Sequence, residues 1–198
     1  VQGDKDRLTT TMEAPAFEHI GKLAEGRHGD PFAFLGRHPA PGGEVLRCFL
    51  PRAGEVWVED QTHPMQRLAE SDLFEYRGDF THIPWKPTIL WRRDDGQQQR
   101  AHDPYCFGSL LDQEAMQAFN AGHNYRSQDL LGARRCSVDG VDGTLFAVWA
   151  PHAERVSVVG DFNRWDGRCH PMRLHALQGI WELFIPDLRE GPYKFELR

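Results

Sequence analysis

The stretch of this chain whose side chains most suggest chemistry is Val156-Ser157-Val158-Val159-Gly160-Asp161-Phe162-Asn163-Arg164-Trp165-Asp166-Gly167. A strand runs out there into a turn carrying Asn163 and Trp165 among charged and small residues, with no apolar alternation around the tryptophan. A flat indole on an exposed turn can stack on the apolar C–H face of a sugar ring, while neighbouring amides and charges bind its hydroxyls. The same indole could instead fold back on Pro171 and Met172, and these residues alone leave both readings open.

Catalytic chemistry has no comparable signal. Acidic residues are plentiful, but most stand beside other charges, as in Glu59-Asp60, Asp94-Asp95 and Glu70-Ser71-Asp72, which predicts solvated faces and turns. A glycosidase-type site needs two carboxylates held on opposite sides of a scissile bond, and nothing identifies such a pair. No nucleophile elbow, Walker loop, dinucleotide fingerprint or Cys/His nucleophile pattern occurs. No catalytic residue is therefore expected in this chain. The ten histidines include no H-E-x-x-H, and the four cysteines, at 48, 106, 136 and 169, include no C-x-x-C. The sequence predicts no metal site, no cofactor and reduced cysteines.

The elements that would position the turn read as β structure, arranged twice. Val45 to Val58 aligns with Leu145 to Val158, so that Pro51 falls on Pro151, Ala53 on Ala153, Val56 on Val156 and Val58 on Val158. Leu35-Gly36 resembles Leu131-Gly132. More loosely, Phe80-x-x-Ile83-Pro84 resembles Leu183-x-Ile185-Pro186, and Ile89-x-Trp91 resembles Tyr193-x-Phe195. Turn signals and prolines bound each short apolar run. Apolar residues at both parities in Leu145 to Trp149 suit a strand covered on both faces. Most of the tryptophans lie inside strand patterns, where core packing is expected.

Two helices are expected. In one, Pro15 sits in the first turn, Phe17, Ile20, Leu23 and Ala24 share a face, and Gly26 is the stop. In the other, Asp112 caps Gln113 to Asn120, Met116 and Phe119 point inward, and Gly122 is the stop. The fold class is all-β: two tandem immunoglobulin-like β-sandwiches with short N-terminal and linker helices and no catalytic (β/α) barrel. The expected division is an N-terminal tail and helix over 1–26, a first sandwich over 27–111, a helical linker over 112–130 and a second sandwich over 131–198. The second copy stops inside its closing strand, which predicts a truncated module with an open edge.

Composition sets the outer limits. With 23 basic against 29 acidic side chains the chain carries a net charge of −6, which argues against nucleic acid as a partner. Its longest apolar run, Leu145 to Ala150, is too short for a membrane span, and Val1 to Arg7 lacks the apolar core of a signal peptide. A soluble, cytoplasmic protein without a membrane partner is expected.

Gly143-Thr144-x-Phe146-x-Val148-Trp149-Ala150-Pro151, followed by Arg155 to Arg168, resembles the glycogen-binding module of carbohydrate-binding module family 48. The continuation His170-Pro171-Met172-Arg173 and Gly179 to Pro186 resembles, more narrowly, the bacterial 1,4-α-glucan branching enzymes. So do Gly26-x-His28-x-Asp30-Pro31-Phe32-x-x-Leu35-Gly36-x-His38 and Asp103-Pro104-Tyr105-x-Phe107-Gly108 in the first copy. The resemblance implies an α-glucan partner, glycogen or maltooligosaccharides, and a catalytic barrel lying beyond Arg198, against which these modules pack. There an aspartate would attack the anomeric carbon, a glutamic acid would protonate the leaving oxygen, and a glucan 6-hydroxyl would open the intermediate with retention. It also implies carbohydrate-binding roles for Trp165, Lys194 (in Tyr193-Lys194-Phe195) and, third, Asn163, whose amide could instead bond its own turn. The chain alone would then be inactive. Debranching enzymes, trehalose-forming hydrolases and non-enzymatic glycogen-targeting subunits carry similar modules and remain the competing readings.

Overall fold

The structure, a computed structural model, describes residues 14–123 and 126–198. Helix α1 (Ala14–Ala24) is followed by strands β1 (Gly36–Ala40), β2 (Gly43–Phe49), β3 (Ala53–Val58), β4 (Gln66–Arg67), β5 (Leu73–Tyr76), β6 (Thr88–Arg93) and β7 (Gln98–His102). Helix α2 (Gln113–Asn120) leads to β8 (Gly132–Val138), β9 (Val141–Trp149), β10 (Val156–Gly160), β11 (Arg173–His175), β12 (Ile180–Pro186) and β13 (Tyr193–Leu197).

Pairing, antiparallel throughout, makes two sandwiches of one plan. In the first, sheet β1-β2-β5-β4 is joined by sheet β3-β6-β7; in the second, β8-β9-β12-β11 is joined by β10-β13. The repeat is real at the level of strands: β2 and β9 hold the same place in their sheets, as do β3 and β10. Gly36 opposes Arg47 and Gly132 opposes Ala147, so Leu35-Gly36 and Leu131-Gly132 also correspond. The two loose matches are out of register. Val58 opposes Ile89 while Val158 opposes Phe195, which pairs Ile89 with Phe195 and Trp91 with Leu197. Leu46 opposes Tyr76 and Phe146 opposes Leu183, so the counterpart of Leu183 is Tyr76, not Phe80. The connections differ in length, residues 59–72 and 77–87 in the first copy against 161–179 and 187–192 in the second, and an alignment carried across them slips.

Strand β9 is covered on both faces, as its composition predicts. Phe146 enters the largest core cluster, while Leu145 and Ala147 pack on the other side with Phe107, Leu111, Met116 and Phe184. That second layer is supplied by α2, whose Asp112 carboxylate accepts from the Glu114 amide and whose Met116 is buried. Helix α1 turns a narrower face inward than expected. Ile20 and Leu23 are buried, but Phe17 and Ala24 are exposed. His19 stacks on Phe34 at 4.4 Å instead, shifting the buried stripe around the helix. The tryptophans also depart from expectation. Trp181 alone is fully buried, Trp57 and Trp91 are half-buried, and Trp85, Trp149 and Trp165 are exposed. Trp149 ends β9 on the face that α2 covers and meets Phe119 edge to face at 6.1 Å, yet it stays about half exposed.

One core runs through both sandwiches. Phe49, Leu73 and Tyr105 from the first share a cluster with Val156, Met172 and Trp181 from the second. Polar groups close the same seam. Tyr105 Oη donates to the Pro171 carbonyl at 3.2 Å, and His102 N–H donates to Asp187 Oδ2 at 2.8 Å. Glu182 is buried yet accepts from Ser109 Oγ (2.8 Å), the Leu111 amide (3.1 Å) and His175 Nε2 (2.6 Å). Burial would raise that carboxyl, but the hydrogen bonds from His175, the Leu110 amide and Ser109 outweigh it and hold the pKa below the usual range.

Candidate carbohydrate-binding site

The turn after β10 is built by its smallest and its most buried residue. At Gly160 a Cβ would stand 2.5 Å from the Phe162 ring and 2.6 Å from the Pro192 carbonyl, so only glycine lets the chain pass. A single 3₁₀ turn, Asp161–Asn163, follows. Asn163 is buried and its amide is spent locally: Oδ1 accepts from Gly160 N–H at 2.9 Å, and Nδ2 donates to Val158 O at 2.8 Å and to His170 Nδ1 at 2.9 Å. Burial draws the His170 pKa down to about 4, so the imidazole is neutral and its bare Nδ1 can accept that bond.

With the turn held from inside, Arg164 and Trp165 both take left-handed backbone angles, φ 55° and 61°. Neither is glycine, and each such residue costs about 1–2 kcal/mol of backbone strain. The strain turns the indole away from the core. Trp165 is 42% exposed, its Nε1–H donates to Asp161 Oδ1 at 2.8 Å, and the Lys194 ammonium stands 5.9 Å from its ring centroid. Met172, a possible backstop, is wholly buried in the shared core. Lys194 comes from the exposed face of β13, where it opposes Val159 of β10.

The far end of the turn is tied down by Arg155, which is buried and donates to Ser157 Oγ at 2.5 Å, to the Gly167 carbonyl at 2.6 Å and to the Glu196 carboxylate. On the other side Arg164 pairs with Asp95, in the β6–β7 hairpin of the first sandwich, at 2.9 Å. The structure therefore brings Trp165 and Lys194 together at the surface and sets Asn163 beneath them as the turn's internal brace. Asp161 and Arg155, which orient the indole and anchor the turn, are not singled out by sequence reasoning. The i, i+4 spacing of Asp161 and Trp165 is a trace of the first; for Arg155 only the i, i+2 spacing to Ser157 is local, since Gly167 and Glu196 lie on other segments. Among the described residues no group of three His, Cys, Asp or Glu side chains is placed to hold a metal ion.

Residues 130–198 match the family Carbohydrate-binding module 48 (Isoamylase N-terminal domain), and residues 16–105 match the N-terminal domain of alpha-1,4-glucan branching enzyme GlgB. The chain is 46% identical over 191 residues to 1,4-alpha-glucan branching enzyme GlgB of Nitrosococcus oceani, covering 94% of this chain and 25% of that protein. It is 44% identical over 194 residues to the enzyme of the same name from Methylococcus capsulatus, covering 98% and 26%. With that of Pseudomonas fluorescens it shares 46% identity over 187 residues, covering 92% and 25%. The chain is homologous to the N-terminal region of bacterial branching enzymes. Its second sandwich is a family-48 module, and the 161–166 turn lies inside that module. The chain spans about a quarter of the length of the curated relatives it matches.

Proposed function

We propose that this chain is the glucan-binding and positioning region of a 1,4-alpha-glucan branching enzyme, which makes α-1,6 branches in cytoplasmic glycogen. The observation that carries the reading is the indole of Trp165, half-exposed, fixed along one edge by Asp161 and flanked by the Lys194 ammonium. A flat apolar face beside a hydrogen-bond donor suits a pyranose ring, whose C–H face can stack while its hydroxyls accept from the lysine. Lys194 also covers the indole edge with its methylene stem. Asn163 acts one step back, by holding the turn.

In this reading the transfer chemistry belongs to a catalytic domain that packs against the two sandwiches. A carboxylate nucleophile there forms a glucosyl intermediate, and a glucan 6-hydroxyl opens it with retention. The chain itself makes no branches and contributes by holding a glucan strand near that site. The match to the branching-enzyme N-terminal domain over residues 16–105 favours this enzyme class over others with a family-48 module. Co-sedimentation with glycogen, paired with an iodine-stained branching assay on amylose, tests the reading. The purified chain is expected to sediment with glycogen and to leave amylose unbranched. A folded chain that stays in the supernatant, or one that forms branches above a heat-killed control, overturns it.

A further inference from the structure

A cavity of about 520 Å³ opens where the two sandwiches meet, walled by the turn after β2, by β6 and β7, and by the segment after β10. Its charge runs against that of the chain. The whole sequence carries a net charge of −6, yet the cavity wall holds Arg52, Arg93, Arg100 and Arg164 against only Asp103 and Asp187. The two aspartates offset the four arginines only in part. Asp187 is engaged by the amide and ring of His102, at 2.8 and 3.0 Å, and burial pushes the Asp103 carboxyl up to about 7, leaving much of it uncharged at neutral pH.

Two of the arginines have partners of their own. Arg164 pairs with Asp95 at 2.9 Å, and Arg100 donates to Thr88 Oγ1 at 2.9 and 3.0 Å. Arg52 and Arg93 differ, since neither guanidinium makes a hydrogen bond or ion pair among the described residues. Burial, with repulsion from Arg164 and Arg52, holds the Arg93 pKa below its ordinary value, and Asp95 offsets this only in part. The backbone helps to hold the cluster together, for Arg52 and Arg164 both sit at left-handed φ, 65° and 55°. Guanidinium groups with free donors on the wall of one cavity match an anion that accepts from several directions, as a phosphate does. The half-buried rings of Trp91 and Phe162 line the same space, whose volume suits a molecule of sugar size.

We propose that this cavity is a binding site for a small phosphate monoester, its phosphate held by Arg52 and Arg93. Trp165 and Lys194 do not line the cavity, although Phe162, Asn163 and Arg164 of the same turn do. Arginine modification of the whole chain by phenylglyoxal, at fixed ionic strength and read by peptide mass spectrometry, tests this in the unaltered protein. Inorganic phosphate at about ten times its dissociation constant is expected to slow modification of Arg52 and Arg93 about tenfold relative to chloride, as occupancy by mass action predicts. Arg27, exposed and outside the cavity, is expected to react at an unchanged rate. Glucose 6-phosphate is expected to protect at a lower concentration than inorganic phosphate, since it also fills the apolar part of the space. In calorimetric titration, Arg52→Gln combined with Arg93→Gln is expected to weaken glucose 6-phosphate binding about a hundredfold while glycogen binding persists. Equal modification rates in phosphate and chloride overturn the proposal, as does undiminished affinity in the folded double variant.

Discussion

Trp165→Ala should remove the proposed sugar platform while leaving its support standing. The residue is 42% exposed, so of the roughly 250 Å² an indole can bury, about 100 Å² is open. A sugar ring covers one face, about half of that area, which at ~25 cal/mol per Å² is worth about 1.3 kcal/mol. A stacking contribution of about 0.7 kcal/mol brings the loss to ~2 kcal/mol, or a Kd weakened about thirtyfold. Stability should fall as well, without unfolding the chain. Alanine meets the same left-handed strain at φ 61°, but it loses the bond from Nε1 to Asp161, the Lys194 contact and the part of the indole that the fold covers, roughly 150 Å² or at most ~4 kcal/mol at ~25 cal/mol per Å². A loss of that size lowers Tm by up to roughly 8–16 °C. Affinity electrophoresis through glycogen-containing gels, with calorimetry on maltoheptaose, measures the first quantity, and thermal melting the second. Wild-type affinity in a folded Trp165→Ala refutes the stacking role. A collapsed melt would show instead that the indole belongs to the core.

Asn163→Ala strands the buried Gly160 N–H and Val158 carbonyl and should cost about 2–3 kcal/mol in urea unfolding; a shift within error would mean that the turn is held otherwise. Glu182→Ala, which unpairs Ser109 and two amides across the seam and His175 on the neighbouring strand, should cost about 3–5 kcal/mol, and Glu182→Gln should cost less. Acid should destabilise the chain through His28 and His170, both drawn by burial to about 4. Their contribution is full above the unfolded value of about 6.5 and is lost as pH falls through about 4. Asp103, raised to about 7 by burial, acts in the opposite sense: its contribution is full below about 3.9 and is lost as pH rises through about 7. Asp103→Asn should therefore gain about 2 kcal/mol relative to wild type between pH 4.5 and 6.5, and a flat difference in urea unfolding across that range would refute the buried-acid assignment.

Much of the fold is legible wherever the information is local. The strand β10, the helix cap at Asp112 and the equivalence of 45–58 with 145–158 depend on side-chain period, capping chemistry and turn residues a few positions apart. The matches that slipped, Phe80 with Leu183 by four residues and Ile89 with Tyr193 by two, follow connections of unequal length, and period two gives no way to choose between registers an even number of residues apart. Trp149 failed for a related reason. Its place in β9 is readable, but whether a helix reaches the end of that strand is not.

The candidate site divides along the same line. Sequence by itself determined that a strand runs into a Gly160-to-Gly167 turn bearing Trp165, because glycine, asparagine and a tryptophan outside any apolar pattern each carry their meaning at their own position. Only the tertiary structure decided that Asn163 points inward, that Lys194 arrives beside the indole from β13, and that Arg155 ties Gly167 to Glu196. It alone decided the shared core and the arginine-lined cavity, which join Tyr105 to Pro171 and set Arg52 near Arg93 and Arg164. Such contacts arise when two sandwiches, each patterned to bury its own apolar faces, also bury surface against each other. Burial is non-directional, and the pattern that records it says that a residue is inside without saying what it meets there.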